Sequence, residues 1–181
     1  MIGNTHLNEI INRENIYETD KILDRLHERI VTSLDQEHSG NDDGMDLCLC
    51  RIEYLYDGKV KVNFTGAKRP VYFLNELGKM MQLKADRISI GGTKRKKNAR
   101  FSSKEIVFRR GTVLYLTSDG FIDQCGNDQS VRYGTARLLD KLAGLSSFPM
   151  ERQSSELDKE LTIFSEQATQ RDDVTIMGIR L

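Results

Sequence analysis

The chain has 181 residues, of which 38% are hydrophobic and 30% are charged. This length supports one domain with a substantial core and is short for two, so we predict a single domain over residues 1–181. The 27 basic and 27 acidic residues cancel, which argues against a nucleic-acid-binding protein or one drawn to an anionic membrane. The sequence contains no apolar run of bilayer-spanning length and does not begin with the layout of a signal peptide.

Two helices are predicted at the start of the chain. Residues 3–12 carry Leu7, Ile10 and Ile11 on one side. The second helix begins at Thr19 or Asp20, and its apolar residues follow the helical period. These apolar residues are Ile22, Leu23, Leu26, Ile30 and Leu34. The polar run over residues 36–44 is a loop by composition.

A series of strands is predicted from Met45 onwards. Residues 47–50 are apolar on both faces, as expected for a strand that is covered on each side. Residues 56–59 are a hairpin turn signal before an alternating strand. Short strands follow at residues 71–74, 79–85 and 88–91. Residues 105–110 and 112–118 are predicted to form a hairpin around Arg110 and Gly111.

A basic loop at residues 93–100 interrupts the strands. We interpret it as a solvated connection; the alternative is a flap that meets an acidic or phosphorylated partner.

Three cysteines, Cys48, Cys50 and Cys125, make an odd number. In a chain without a secretory signal this indicates reduced thiols in the cytoplasm. Cys48 and Cys50 are two residues apart in a predicted strand and so share one face. We interpret them as small core residues rather than as metal ligands.

Two helices and one strand close the chain. Residues 135–145 form the first helix, the second begins near Pro149, and the strand covers residues 174–181. The order is helix, helix, a series of strands, helix, helix, strand. It predicts an α+β fold with antiparallel sheet covered by helices.

Acidic residues stand at the ends of two predicted strands. Asp119 and Gly120 follow the buried strand at residues 112–118, and the glycine lets the backbone turn directly after the carboxylate. Asp172 and Asp173 open the last strand. If the two strands pair antiparallel, these carboxylates converge at one edge of the sheet. Carboxylate oxygens are the ligands that Mg²⁺ and Mn²⁺ prefer, and such ions can activate water for attack on a phosphate ester.

Ordinary turns are the alternative interpretation of these residues. Asp-Gly occurs at Asp43, Asp57 and Asp119, and the pair at Asp57 fits a hairpin. Asp123 and Asp173 are also of a type that is common in turns and caps.

The order of several motifs carries a family resemblance. Residues 66–70 (GAKRP), 117–124 (TSDGFIDQ) and 170–175 (QRDDVT) closely resemble the SpoIIE-type branch of the metal-dependent protein phosphatases, relatives of eukaryotic protein phosphatase 2C. The resemblance extends to residues 42–46, 90–92 and 133–134, and so covers nearly the whole chain.

The resemblance implies a four-layer, helix-flanked sandwich of two antiparallel β-sheets with two Mn²⁺ or Mg²⁺ ions at one end. It implies hydrolysis of phosphoserine or phosphothreonine on a protein by metal-bound water. On this pattern Asp119 and Asp172 are catalytic metal ligands, and Gly120 lets the backbone approach the site. The further candidates are Asp43 and Asp173 for the metal site, and Lys68 and Arg69 for substrate binding.

The resemblance also implies a place in bacterial signalling. The expected partner is a phosphorylated protein, such as an anti-sigma-factor antagonist, and an upstream sensor or receiver domain is expected in the full-length protein. We expect a cytoplasmic protein with no nucleic-acid partner.

One departure from the family pattern affects the expected activity. The family places a motif of the type Asp-x-Thr-Gly-His-Gly before the first helix, and its aspartate bridges both metals. Residues 1–5 resemble the helix that follows this motif, so we expect a domain that lacks its N-terminal strands and has little or no activity alone. A non-catalytic, phosphatase-like module that binds a partner is the alternative hypothesis.

Overall fold

The computed structural model describes residues 2–92, 99–126, 131–166 and 168–181. Within it the chain divides into two compact units. The first unit comprises Met1–Val71 and Leu83–Arg110, and the second comprises Tyr72–Gln82 and Gly111–Leu181. Residues 93–98 of the predicted basic loop lie outside the described residues.

The helices confirm the four that the apolar spacing predicts and add one short helix. In chain order they are α1 (Ile2–Asn12), α2 (Thr19–Ser33), α3 (Gly120–Asp123), α4 (Thr135–Leu145) and α5 (Met150–Ser165). The described part of the chain contains no helix with both the length and the apolar character needed to cross a membrane.

The strands are short and mostly follow the predicted positions. They are β1 (Gly44–Met45), β2 (Leu47–Tyr54), β3 (Lys59–Ala67), β4 (Val71–Leu74), β5 (Met80–Leu83), β6 (Ile90–Gly91), β7 (Lys104–Arg109), β8 (Val113–Thr117) and β9 (Ile176–Arg180). Strands β1 and β6 form a two-stranded sheet, and a three-stranded sheet has the order β2-β3-β7. A four-stranded sheet has the order β5-β4-β8-β9.

The fold is therefore α+β, with helices and antiparallel sheets. Strand β3 pairs antiparallel with both β2 and β7, and β8 pairs antiparallel with β9. This agrees with the predicted fold class.

The hairpin predicted over residues 105–118 is wrong. Strand β7 pairs with β3, whereas β8 pairs with β9 in a different sheet. The two residues of the intervening turn are divided between the same two sets of partners. The Arg110 N–H donates to the Gly58 carbonyl, and the Gly111 N–H donates to the Leu181 carbonyl. Arg110–Gly111 therefore ends one sheet and begins another. The turn residues are those of a hairpin, but the long-range pairing decides the topology.

Each unit has its own apolar core. In the first, residues of α1 and α2 pack with β-strand residues in a cluster that includes Ile10, Leu23, Leu26, Ala67 and Ile90. In the second, β8 lies at the centre of a cluster with α4 and α5. Residues Val113, Leu114 and Tyr115 of β8 are buried, as predicted. Residues 47–50 of β2 are half-buried, whereas the prediction was a strand covered on each side.

Candidate functional site

The pairing of β8 with β9 places the end of one strand beside the start of the other. Thr117 lies opposite Ile176 in the antiparallel register. One residue further on, the Ser118 N–H donates to the Thr175 carbonyl at 3.0 Å. The segment that contains Asp119 therefore runs alongside the segment that precedes β9. This is the convergence of strand ends that the sequence predicts for the backbone.

The Ser118 side chain fastens these two segments together. Its hydroxyl donates to the Asp173 carbonyl at 2.9 Å and accepts from the Thr175 N–H at 2.9 Å. The acidic loop before β9 is thus held from the end of β8 by a side chain as well as by the backbone. A hydroxyl can do this because it is a donor and an acceptor at once.

Gly120 allows a close approach between the same segments. A Cβ atom at this position would lie 2.4 Å from the Asp173 carbonyl oxygen and 3.2 Å from that of Asp172. The first distance is too short for any side chain. The glycine is therefore required by the neighbouring backbone, and Gly120 is the first residue of α3 rather than part of a loop.

The two leading acidic candidates have well-defined local backbone. Asp119 occupies the N-cap position of α3 without a side-chain cap bond, and its carbonyl accepts the Asp123 N–H at 2.8 Å. The Asp172 carboxylate accepts the Asp173 N–H at 2.7 Å. The Asp172 carbonyl accepts from the Gln170 amide at 2.9 Å. Both Asp172 and Asp173 are exposed to solvent.

These residues offer the donor atoms that a divalent metal binds, but they supply only part of the number of ligands. Carboxylate and carbonyl oxygens are the donors that Mg²⁺ and Mn²⁺ take, and the strand ends that carry Asp119 and Asp172 are adjacent. Over the described ranges, however, no three or more His, Cys, Asp or Glu side chains gather as a metal-binding group.

Asp43 lies in the first unit, in a loop that is held by Gln36. The Gln36 amide nitrogen donates to the Asp43 carbonyl at 2.6 Å, and its amide oxygen accepts the Gly92 N–H at 3.0 Å. The Asp43 carboxylate accepts from the Asn41 amide at 3.0 Å. Gln36 is itself buried, so this loop is anchored in the core while Asp43 remains exposed.

Lys68 and Arg69 also lie in the first unit, directly after β3. Both form ion pairs with Asp46, at 3.6 Å from the Lys68 Nζ and 3.5 Å from the Arg69 Nη2. The Ser89 hydroxyl donates to the same carboxylate at 2.6 Å. Sequence reasoning found the two basic residues but not this interaction. The sequence feature that could have indicated this interaction is the acidic Asp46, which stands between the apolar Met45 and Leu47.

The three cysteines are free thiols. Cys125 is buried, and Cys48 and Cys50 are partly exposed on β2. Burial nevertheless raises the pKa of Cys48 to about 11 and that of Cys50 to about 12. Both therefore remain protonated, and chemically quiet, at neutral pH.

The antiparallel sheets, their helices and the paired strand ends at Ser118 and Thr175 define an α+β fold of the protein phosphatase 2C type. The family model for Stage II sporulation protein E (SpoIIE) matches residues 4–181. The chain belongs to the SpoIIE family. A search of curated proteins finds no match.

Solved structures agree with this fold. The PP2C domain of SiaA from Pseudomonas aeruginosa has a TM-score of 0.82 and 23% identity, over 100% of this chain and 68% of that one. The RsbU and RsbW domains of a Mycobacterium tuberculosis protein have a TM-score of 0.68 and 18% identity. The match covers 98% of this chain and 45% of that one. The phosphatase domain of SpoIIE from Bacillus subtilis, presoaked with Mn, has a TM-score of 0.59 and 18% identity. The match covers 99% of this chain and 73% of that one. These identities are low, so the likeness establishes the fold.

Proposed function

We propose that residues 1–181 form a metal-dependent phosphatase domain that hydrolyses phosphoserine or phosphothreonine on a partner protein. The observation that carries this proposal is the pairing of β8 with β9, which sets Ser118, Asp119 and Gly120 against Asp172 and Asp173. Membership of the SpoIIE family supports the phosphatase chemistry.

In this proposal Asp119 and Asp172 would hold Mn²⁺ or Mg²⁺, and Asp173, next to Asp172, is a further candidate ligand. Asp43 of the first unit is a candidate through the family resemblance alone. A bound ion of this kind activates water and neutralises charge on the phosphoryl group. Ser118 orients the acidic loop through its two hydrogen bonds, and Gly120 leaves room for it. The Mn treatment of the SpoIIE phosphatase domain from Bacillus subtilis supports manganese as the first ion to test.

The proposed partner is a phosphorylated regulatory protein of the anti-sigma-factor-antagonist type, in bacterial signalling. The similarity to the RsbU and RsbW domains, and to SpoIIE, supports this setting. We further propose an upstream sensor or receiver domain that controls the activity. The three free thiols support a reducing compartment, the cytoplasm.

The test is hydrolysis of a phosphoserine peptide by the chain with Mn²⁺. We expect low activity, because few ligands are gathered in the described residues, and we expect both Asp119→Asn and Asp172→Asn to reduce it to background. Asp140→Asn is the matched control, since Asp140 is an exposed residue of α4. Robust turnover that is unchanged in both variants would refute the roles proposed for Asp119 and Asp172.

A second candidate function is a non-catalytic module that binds a partner through a phosphatase-like fold. It is favoured by the lack of a group of three or more metal-ligating side chains within the described ranges. Calorimetric titration with Mn²⁺ separates the two functions. Binding that is lost in both Asp119→Asn and Asp172→Asn supports the enzyme, and an absence of binding to the unmodified chain supports the module.

A further inference from the structure

Strand β7 is an edge strand of the first unit. It is the last strand of the sheet β2-β3-β7. The Arg110 N–H, just beyond its end, donates to the Gly58 carbonyl of the β3 side at 2.8 Å. Because the bonding of an antiparallel pair alternates along the strand, every second residue back from Arg110 bonds β3. The residues between them, Glu105, Val107 and Arg109, direct their backbone N–H and C=O groups away from β3.

The side chains of these three residues form a pattern on one face of the sheet. Alternate residues of a strand share a face, and Glu105, Val107 and Arg109 are all exposed. Val107 is 50% exposed. The order along this face of the edge is therefore acidic, apolar, basic.

This order is complementary to itself. If a second copy of β7 lies antiparallel with Val107 opposite Val107, then Glu105 faces the second copy's Arg109, and Arg109 faces its Glu105. Opposite charges that face each other across strands stabilise the pairing.

The other face of the strand is compatible with the same register. There the half-buried Ile106 comes opposite the second copy's Phe108, which is buried. Pairs of an aromatic and a β-branched residue are favourable cross-strand neighbours. The register that matches the charges on one face thus also matches apolar residues on the other.

The other edge strands of the described sheets lack this pattern. On β2 the Leu55 N–H donates to the Lys59 carbonyl at 2.9 Å, so the outward-directed residues of β2 are the uncharged ones. On β9 the outward-directed residues include a single charge, Arg180. Strand β5 carries no charged residue. Self-complementary charges distinguish β7.

We propose that β7 is a docking edge for a second copy of this chain, which pairs with it antiparallel about a two-fold axis at Val107. Such an interface uses the same surface on both copies and joins two three-stranded sheets through backbone hydrogen bonds. Charged residues on an edge ordinarily discourage pairing with other strands. Here their order admits a second copy in one register. The inference is independent of the proposed function, since it involves neither a metal nor a phosphate.

The first test is the molar mass of the full chain in solution. An edge of six residues buries less surface than a tight dimer needs, so we expect a Kd of about 0.1 mM. Sedimentation equilibrium over about 0.01–1 mM should therefore show a monomer that becomes a dimer. A monomer throughout this range would overturn the proposal.

Charge reversal tests which surface forms the dimer. We expect Glu105→Arg and Arg109→Glu each to weaken the dimer by about tenfold or more, because each sets two like-charged pairs across the axis. Arg109 also has interactions within its own chain, so recovery carries the test rather than loss alone. The double variant, and an equimolar mixture of the two single variants, should both regain a Kd near that of the unmodified chain.

Arg51→Glu and Asp140→Arg are the matched controls, alone and mixed. They make the same changes in net charge at exposed residues of β2 and α4, and we expect Arg51→Glu and Asp140→Arg alone to leave the Kd unchanged and their mixture to behave like either one. Dimers that persist in both β7 variants would place the interface elsewhere. Loss without recovery in the double variant and the mixture would overturn the register.

Urea unfolding checks that each variant is folded. If either reversal is not, Val107→Lys replaces it, because it sets two lysines together on the axis at an exposed position. We expect that variant to remain a monomer up to about 1 mM. A dimer of unchanged Kd in Val107→Lys would overturn the proposal.

Discussion

The Ser118 hydroxyl donates a hydrogen bond to the Asp173 carbonyl oxygen at 2.9 Å, across 55 residues of sequence. The same hydroxyl accepts the Thr175 N–H at 2.9 Å. One side chain at the end of β8 thereby fixes the backbone on both sides of Val174. This contact is the most direct link between the two acidic segments that we propose as the metal site.

Replacing Gly120 with alanine should destabilise the protein. The added Cβ would lie 2.4 Å from the Asp173 carbonyl, so one of the two segments must move. Overpacking of this kind costs about 1–3 kcal/mol, and we expect that loss in the free energy of unfolding measured with urea.

Gly144→Ala is the control for that measurement. Gly144 lies in α4, and a Cβ there meets nothing within 4 Å. Alanine should stabilise the helix by up to about 1 kcal/mol. Equal effects of the two glycine substitutions would contradict the close approach at Gly120.

Tyr115→Phe should destabilise the second unit. The buried Tyr115 hydroxyl donates to the Gln153 amide oxygen at 2.8 Å, and removing it leaves a buried acceptor unpaired. The expected loss in unfolding free energy is about 1–3 kcal/mol. Tyr56→Phe is the control, because Tyr56 is 94% exposed and its hydroxyl should contribute little. A loss no greater than that of the control would show that Gln153 finds another donor.

His27 should make stability depend on pH. Its Nδ1 accepts the Gly91 N–H at 3.0 Å in a buried position. Burial lowers the pKa of His27, against the nearby carboxylates of Asp24 and Glu28, which raise it. The neutral form is therefore favoured in the folded state. Its contribution to stability is present above the unfolded pKa of about 6.5 and is lost as the pH falls through the lowered folded pKa.

The measurement is urea unfolding at about pH 7.5 and pH 5.5. His27→Asn should reduce the difference between the two pH values, because its amide oxygen can still accept from Gly91 but does not titrate. His38→Gln is the control, since His38 is an exposed residue paired with Asp35. If the unfolding free energy of His27→Asn depends on pH as strongly as that of the unmodified chain, the pH dependence comes from other groups.

Cys48 and Cys50 should react slowly with thiol reagents in the folded protein. With pKa values of about 11 and about 12, only about 0.1% or less of either thiol is thiolate at pH 8. In a Cys125→Ala background we expect alkylation about a hundredfold slower than in urea, where the thiols have ordinary pKa values. Fast labelling without denaturant would mean that β2 opens readily at its edge.

Local sequence patterns predicted most of the elements and the main acidic segments. The apolar spacing of α1, α2, α4 and α5 and the buried character of β8 were sufficient, because these patterns reflect burial of one helix face or of a whole strand. Asp119 and the acidic pair Asp172–Asp173 were found because each stands where a strand ends or begins.

Contacts between distant segments could not be predicted in the same way. The turn at Arg110 and Gly111 looks like a hairpin, yet its two strands pair with β3 and β9. The interaction of Asp46 with Lys68 and Arg69 likewise joins residues more than 20 positions apart. No local pattern marks either arrangement.

The sequence by itself determined that this is an α+β chain of helices and short strands, with carboxylates at strand ends in the order typical of the SpoIIE family. Only the tertiary structure decided which strands pair, and therefore that Ser118 bonds Asp173 and that Gly120 is required by a neighbouring backbone. The physical reason is that the formation of a helix or a strand depends on the periodicity of side chains that are close together in the sequence. Strand pairing and close backbone approach depend instead on which segments fold against each other.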